Sequence, residues 1–307
     1  MNIKIIQHLM PWELDNALLS FSQLKKSKPH LPEGVNITID TILNLSSYII
    51  NWDKSRLPKE YFLNKYDNIS SLLIDYNHIK RTYQKDKLYG HLDFQKEVVS
   101  KEIDYYICTC PDMYFSEYLI SYLTQLAPSI PNEYFVVTPQ ISKLWDHSWD
   151  EITNPQYLNI PYSEWDQVDI FDIISTTQSS SQEINLKPTN RSKWAGWFDL
   201  YSKSFYEDLV PIQEDWSGYG PWDWYSLMLT EHLKTKGVDF QQYLLEGETI
   251  FEYSVGPLKD KKGSKLTSHY KEFLALNDIP NQRQYFESNM QRYLETGIQM
   301  LKNKQII

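Results

Sequence analysis

The sequence predicts an α/β protein built on an open sheet, and three patterns support this prediction. The segments Ile3–Leu9 and Val35–Leu43 are rich in β-branched and apolar residues, and the second alternates with the period of two that is typical of strands. A further strand, Tyr105–Thr109, precedes a helical pattern at Glu117–Leu126 and a strand at Glu133–Val137. Strand, helix and strand joined by short links indicate a βαβ unit and therefore a sheet with parallel strands.

The composition limits the function classes. The chain has 307 residues, 41% of them apolar, which is enough for the core of one large domain. With 40 acidic and 30 basic residues, its net charge of -10 argues against a simple basic nucleic-acid binder. A mean hydropathy of -0.52 and the lack of a long apolar run predict no membrane span. We expect a soluble, cytoplasmic protein of a bacterial or virus-infected cell, and we infer no obligate protein partner.

The remaining elements of the N-terminal half follow from turn and helix signals. A helical pattern runs over Leu14–Lys25, and residues 44–92 predict short helices and loops. A helix over Asp93–Lys101 leads into the strand at 105, which Pro111 closes because proline cannot donate to a sheet. Ser116 is the predicted N-cap of the helix that follows.

In the C-terminal half, residues 175–192 are polar and nearly free of apolar side chains, which predicts either an inert surface loop or a mobile one. A helix is predicted over Trp222–Lys236, a strand over Thr249–Val255 and an amphipathic helix over Gln282–Leu301. No internal repeat is found in the sequence, so a single domain with a C-terminal helical extension is the simplest organisation.

The first candidate site follows the strand Tyr105–Thr109. Ligands of open α/β sheets bind at the carboxyl ends of the strands, and Asp112 lies directly after one. A carboxylate there can hold a divalent cation, which neutralises a pyrophosphate leaving group. The alternative is an ordinary turn or capping residue.

Two further candidate sites combine aromatic and small residues. In Lys193–Phe198, rings flank an Ala-Gly pair that lets a ligand approach the backbone, although a crowded core strand would show the same pattern. In Gly218–Tyr225, Asp223 falls in the first turn of the predicted helix, between two tryptophans. It either complements the helix dipole or, partly desolvated, serves as a general base.

The order of these three motifs resembles that of nucleotide-sugar glycosyltransferases of the GT-A fold. The resemblance covers residues 104–232. The sequence pattern is similar to that of the inverting galactosyltransferases, whose Gly-Trp-Gly-Gly-Glu-Asp block carries the catalytic base. It is also similar to that of bacteriophage glycosyltransferases with a Trp-Ala-Gly-Gly-Trp-Phe block. The implied fold is a GT-A-type, Rossmann-like mixed sheet flanked by helices. One domain would span 1–307, with a nucleotide-sugar-binding half at 1–150, an acceptor and catalytic half at 190–270 and a C-terminal helix at 280–303.

The resemblance also implies roles for residues. Asp112 matches the second Asp of the DxD motif and would contact both the metal and the donor, whereas Cys110 replaces the first Asp. Asp223 matches the base that deprotonates the acceptor hydroxyl, so that transfer inverts the anomeric carbon. The implied cofactor is Mn²⁺ or Mg²⁺, with His269 as a further ligand. The other implied donor-binding residues are Lys193, Trp194, Ala195, Gly196, Trp197, Lys259 and Lys261.

The acceptor and the activity stay open at the level of sequence. The acidic charge suits a glycan acceptor, and the phage resemblance adds a hydroxymethylated pyrimidine in viral DNA as a minority option. A non-catalytic carbohydrate- or nucleotide-binding protein is the main alternative, since Cys110 and Trp222 depart from the family pattern. A purely structural α/β scaffold is a third interpretation.

Overall fold

The computed structural model describes residues 1–46, 57–84, 98–143, 183–189, 198–209, 222–252 and 282–307. Within these ranges nine strands form one sheet: β1 Asn2–Leu9, β2 Asn36–Asn44, β3 Asn77–Tyr83, β4 Tyr105–Thr109, β5 Met113–Tyr114, β6 Tyr134–Lys143, β7 Asn185–Thr189, β8 Phe198–Ser202 and β9 Phe240–Glu252. The helices are α1 Leu14–Ser27, α2 Lys59–Ser70, α3 Leu119–Leu126, α4 Trp222–Thr235 and α5 Gln282–Asn303. Across these ranges, every helix is either too short or too polar to traverse a lipid bilayer.

The sheet is mixed, with the order β3-β2-β1-β4-β8-β6-β9-β5, and β7 pairs with β9. The strands β1, β2, β3 and β4 are mutually parallel, and β6 is parallel to β9. Strand β8 lies between these two groups and runs antiparallel to both β4 and β6. The carboxyl ends of the parallel strands therefore share one side of the sheet, here called the carboxyl edge.

Helices cover both faces of the sheet. Side chains alternate between the faces, so that Ile5 of β1 packs on the face of α1, α2 and α3. Its neighbour Ile6 packs on the opposite face, where Leu229 and Leu233 of α4 and Leu301 of α5 are buried. Burial on both faces explains why the central strands read as nearly continuous apolar runs. The mixed α/β sheet flanked by helices, which the sequence predicted, is confirmed.

The region 44–92 contains more regular structure than the sequence indicated. Its described part forms the helix α2 and the strand β3, where only short helices and loops were expected. Among the described strands, β3 pairs with β2 alone, and most of its side chains are exposed or half-exposed. An edge strand with a polar sequence lacks the apolar alternation by which strands are recognised.

Four other boundaries differ from the prediction. Residues 185–189 of the predicted loop 175–192 form β7, which pairs with β9, and 175–182 lie outside the described residues. Strand β9 begins at Phe240 rather than at Thr249, and α3 begins at Leu119 rather than at 117. Of the helix expected over 93–101, residues 93–97 lie outside the described ranges, Val98 is helical and the chain then leaves the helix.

Candidate functional site

Two adjacent strands deliver acidic residues to the carboxyl edge. Strands β1 and β4 are parallel neighbours, with Gln7 opposite Thr109 in the register. Each strand ends a few residues before a proline, Pro11 or Pro111, after which the chain turns away. Glu13 follows β1 and Asp112 follows β4, so both residues lie at this edge, and the charge of Asp112 acts on Glu13.

Glu13 and Asp112 interact electrostatically. The Glu13 Oε2 accepts a hydrogen bond of 2.8 Å from the backbone N–H of Met10. Burial, and then the negative charge of Asp112, raise the pKa of Glu13 to about 8. Sequence reasoning missed Glu13, because a glutamate three residues after Met10 at a helix start indicates only a cap.

The chemistry of this pair fits a hard divalent cation. Carboxylate oxygens are the ligands that Mg²⁺ and Mn²⁺ prefer, and a cation would offset the negative charge of Asp112, which after burial is the second cause of the raised pKa of Glu13. In the described ranges, no three His, Cys, Asp or Glu residues come together as a complete metal site. A cation held by these two carboxyl groups would therefore need further ligands, such as the phosphate oxygens of a nucleotide.

The turn that carries Asp112 is held at its start by side chains. The Nε2 of Gln7 donates to the carbonyl oxygen of Cys110 at 3.0 Å and to the Oγ of Ser20 at 2.9 Å. The Thr109 hydroxyl also donates to the Cys110 carbonyl, at 3.2 Å. Two donors on one carbonyl fix the peptide group from which the turn begins.

The same segment is held at its far end. Met113 pairs with Glu252 of β9, and the Ser116 hydroxyl lies within hydrogen-bonding distance of Glu248. Burial raises the pKa of Glu248 to about 7, and its side chain is only 9% exposed. The sequence predicted Ser116 as a helix N-cap, but its hydroxyl accepts from the Tyr118 N–H at 3.3 Å and the helix begins later. Asp112 thus lies between two fixed points.

A bulge in β9 brings Glu248 to this position. The register between β6 and β9 shifts between Pro139 and Gln140, where Glu246, Gly247 and Glu248 have no partner residue in β6. Gly247 has a φ of 89°, and a Cβ at this position would lie 2.8 Å from the carbonyl oxygen of Glu183. Only glycine suits both the backbone conformation and the space.

Both cysteines are free thiols, at Cys108 and Cys110. Burial raises the pKa of Cys108 well above its usual value, so this thiol stays neutral. Cys110, which the resemblance aligns with the first Asp of the DxD motif, is half-buried. Asp112 and Glu13 are the acidic residues that directly follow β4 and β1 at this edge.

Most of the other predicted site residues lie outside the description. Asp223 is the second residue of α4, but its side chain is not among those described. Nothing is described for the following predicted residues: Lys193, Trp194, Ala195, Gly196, Trp197, Lys259, Lys261 and His269. Of the predicted set, Asp112 is the residue whose surroundings the structure defines.

The chain was compared with solved structures. It superposes on GalNAc-T7, solved with UDP, GalNAc and Mn²⁺, at a TM-score of 0.51 and 10% identity, over 90% of this chain and 48% of that one. The fold is of the GT-A type. Among other GT-A structures, S. aureus TarS 1-349 in complex with UDP-GlcNAc gives a TM-score of 0.48 at 10% identity, over 98% and 72% of the two chains.

A nucleotidyltransferase is also among the similar structures. The inositol-1-phosphate CTP transferase from T. maritima gives a TM-score of 0.42 at 9% identity, over 89% and 96% of the two chains. The chain spans 38% of the longer S. aureus TarS structure, so it corresponds to only part of some GT-A proteins. No protein-family model and no curated protein sequence matches the chain significantly.

Proposed function

We propose that the protein is a glycosyltransferase that moves a sugar from a nucleotide diphospho-sugar to an acceptor hydroxyl. The observation that carries this proposal is that Asp112 and Glu13 follow the neighbouring strands β4 and β1 at the carboxyl edge of a GT-A sheet, where α/β proteins bind their ligands. GalNAc-T7, which has the same fold, was solved with UDP and Mn²⁺, which supports a nucleotide-sugar donor and a divalent cation here.

Asp112 is the proposed ligand of the cation, with Glu13 as a second oxygen ligand once it releases its proton. When bound, Mn²⁺ or Mg²⁺ would neutralise charge that develops on the departing diphosphate. We retain Lys193, Trp194, Ala195, Gly196 and Trp197 as proposed donor contacts. Lys259 and Lys261 are proposed to offset diphosphate charge, and His269 to complete the metal ligands.

Asp223 is the proposed general base. Helix α4 is joined to β9 by the short connection 236–239, and a helix so connected runs back along the strand that follows it. We therefore expect the first turn of α4 near the carboxyl end of β9, which pairs with Met113 beside Asp112. From there Asp223 would accept the proton of the acceptor hydroxyl, which attacks the anomeric carbon from the face opposite the diphosphate and inverts it.

The acceptor we propose is a glycan, in keeping with the net charge of -10. We also propose a single domain in which 1–150 binds the donor and 190–270 the acceptor. Cys110 and Trp222 favour one alternative, a protein that binds nucleotide sugars without turning them over.

A thermal-shift panel of UDP-, GDP-, dTDP- and CMP-sugars, with and without MnCl₂, tests the proposal. We expect one nucleotide class to raise the melting temperature, and Mn²⁺ to increase that shift, because a ligand that binds only the folded state stabilises it. The Asp112→Ala variant should lose the Mn²⁺-dependent part of the rise in melting temperature. Hydrolysis or transfer of the stabilising sugar nucleotide then separates an enzyme from a binding protein, and no shift with any nucleotide contradicts both.

A further inference from the structure

Gln7 is an amide in a position where the fold favours an apolar side chain. It lies in β1 between Ile5 and Leu9, which point to the same face and belong to the core under α1. All three side chains are 0% exposed. Both hydrogens of the Gln7 Nε2 are used, by Ser20 and by the Cys110 carbonyl, but its Oε1 has no hydrogen-bond partner in the described part of the chain.

Stability alone does not account for this amide. A buried acceptor without a partner costs the free energy of its lost hydration, and a methionine or leucine of similar volume would avoid that cost. The bond to Ser20 adds only a link between β1 and α1, elements that already share a large apolar contact. The group that gains most from Gln7 is therefore the Cys110 carbonyl.

The Cys110 carbonyl sets the direction in which the chain leaves β4. The next residue, Pro111, has no N–H, so it cannot contribute a backbone donor to fix the turn. The orientation of this peptide group instead depends on the two side-chain donors, Gln7 and Thr109. Asp112 lies two residues after Cys110, so the position of its carboxyl group depends on the orientation of this peptide group.

We propose that Gln7 is a positioning residue, whose carboxamide orients the Cys110–Pro111 peptide and so places the Asp112 carboxylate for the cation and the diphosphate. This inference rests on the proposed function. It predicts that a change at Gln7 alters the affinity for the cation while the fold remains intact, which a merely structural residue would not do.

The test compares the wild-type chain with Gln7→Met, using MnCl₂ titrations in the presence of UDP, followed by thermal shift and by calorimetry. We expect the half-saturating Mn²⁺ concentration of the variant to rise about 10- to 100-fold, as for other residues that orient a metal ligand. Saturating Mn²⁺ should restore the wild-type UDP affinity. Without ligands, the melting temperature should lie within about 3 °C of the wild type, because the lost hydrogen bonds and the removed orphan acceptor offset each other.

Ser20→Ala is the matched control. It removes the other partner of the Gln7 amide but leaves the bond to Cys110, so its Mn²⁺ dependence should equal that of the wild type. Thr109→Val is the second variant, because it removes the other donor to the Cys110 carbonyl and changes little else. It should raise the half-saturating Mn²⁺ concentration less than Gln7→Met does. If Gln7→Met does not fold, an unchanged Mn²⁺ concentration in Thr109→Val overturns the proposal.

The outcomes separate the two proposals. A wild-type chain that responds to UDP and Mn²⁺ while Gln7→Met and Thr109→Val titrate like it overturns the role of Gln7 alone. If Ser20→Ala raises the half-saturating Mn²⁺ concentration as much as Gln7→Met does, that role is also overturned, because the effect would then come from the packing of α1 against β1. A wild-type chain that responds to none of UDP, GDP, dTDP and CMP in the presence of Mn²⁺ overturns both this inference and the proposed function.

Discussion

The Ser116 hydroxyl lies 3.0 and 2.9 Å from the two carboxyl oxygens of Glu248, 132 residues away in the sequence. This bond joins the segment that carries Asp112 to the bulge of β9. Burial and then the negative charge of Glu248 raise the pKa of Tyr122 on α3. Glu248 is buried and its partner is a neutral hydroxyl, so burial favours the protonated form of the carboxyl group. The contact therefore changes when the pH rises and Glu248 ionises.

The first prediction concerns the pH dependence of stability. The pKa of Glu248 rises from 4.5 to about 7 on folding, so the folded state binds a proton that the unfolded chain releases between these values. The stability that Glu248 contributes is therefore complete below pH 4.5 and lost as the pH rises through about 7. Glu248→Gln cannot ionise, so between pH 4.5 and 8 it should gain on the order of 3 kcal/mol relative to wild type.

Urea unfolding of both chains at several pH values measures this difference. Glu183→Gln, at an exposed position near the bulge, is the control and should follow the wild-type curve. Parallel curves for Glu248→Gln and wild type across this range would show that Glu248 does not titrate as the fold requires.

A second prediction concerns Gly247. Alanine there would require a φ of 89° and would bring its Cβ within 2.8 Å of the Glu183 carbonyl oxygen. We expect Gly247→Ala to cost about 2–4 kcal/mol, the sum of backbone strain and steric overlap. Gly34→Ala has a similar φ of 80° but no atom within 4 Å, so it should cost only about 1 kcal/mol. Equal losses of unfolding free energy in the two variants would refute the role of the close contact with the Glu183 carbonyl oxygen.

A third prediction compares two neighbouring cations of β3. The Arg81 Nε lies 2.8 Å from the Asp40 Oδ1, and Asp40 is fully buried. Arg81→Met should cost about 2–3 kcal/mol, because it removes a partner of a buried charge. Lys80→Met breaks an exposed pair with Asp67 and should cost less than about 1 kcal/mol. The double variant Arg81→Met/Asp40→Asn should recover part of the loss in chemical denaturation, and a further loss would contradict this account.

The fourth prediction concerns the chemistry. Asp223→Asn should lower the rate of transfer by about 10²- to 10⁴-fold, as expected for the loss of a general base, with unchanged affinity for the sugar nucleotide. Asp112→Ala should lower both the rate of transfer and the affinity for the sugar nucleotide. Glu231→Gln, on the exposed side of the same helix as Asp223, should change neither rate nor affinity. Near-normal turnover of Asp223→Asn in a coupled assay would rule Asp223 out as the base.

The parts of the fold that the sequence predicted are those with a strong local pattern. Strands β1, β2 and β4 are apolar because both faces of the sheet are covered, and α1, α4 and α5 carry long helical patterns. Strands β3 and β7 were missed because they lie at edges and carry polar residues such as Lys80 and Lys187. Local pattern cannot reveal a strand that is defined by its partner.

The same distinction applies to the candidate site. Asp112 was predicted because its place after a strand is a local feature. Gln7 and Glu248 were not, since their partners lie 103 and 132 residues away and no short motif links them. Glu13 and Asp112 lie at the same edge because β1 and β4 are neighbours in the sheet. Contacts of this kind follow from topology rather than from spacing.

The pairing of Met113 with Glu252 has a consequence for biosynthesis. The turn that bears Asp112 emerges from the ribosome early, but the strand that fastens it is translated only after more than a hundred further residues. A nascent chain that stops before β9 should therefore fold its first strands and helices without a finished nucleotide pocket. Ligand affinity would then appear late and abruptly during synthesis, as non-local strand pairing completes.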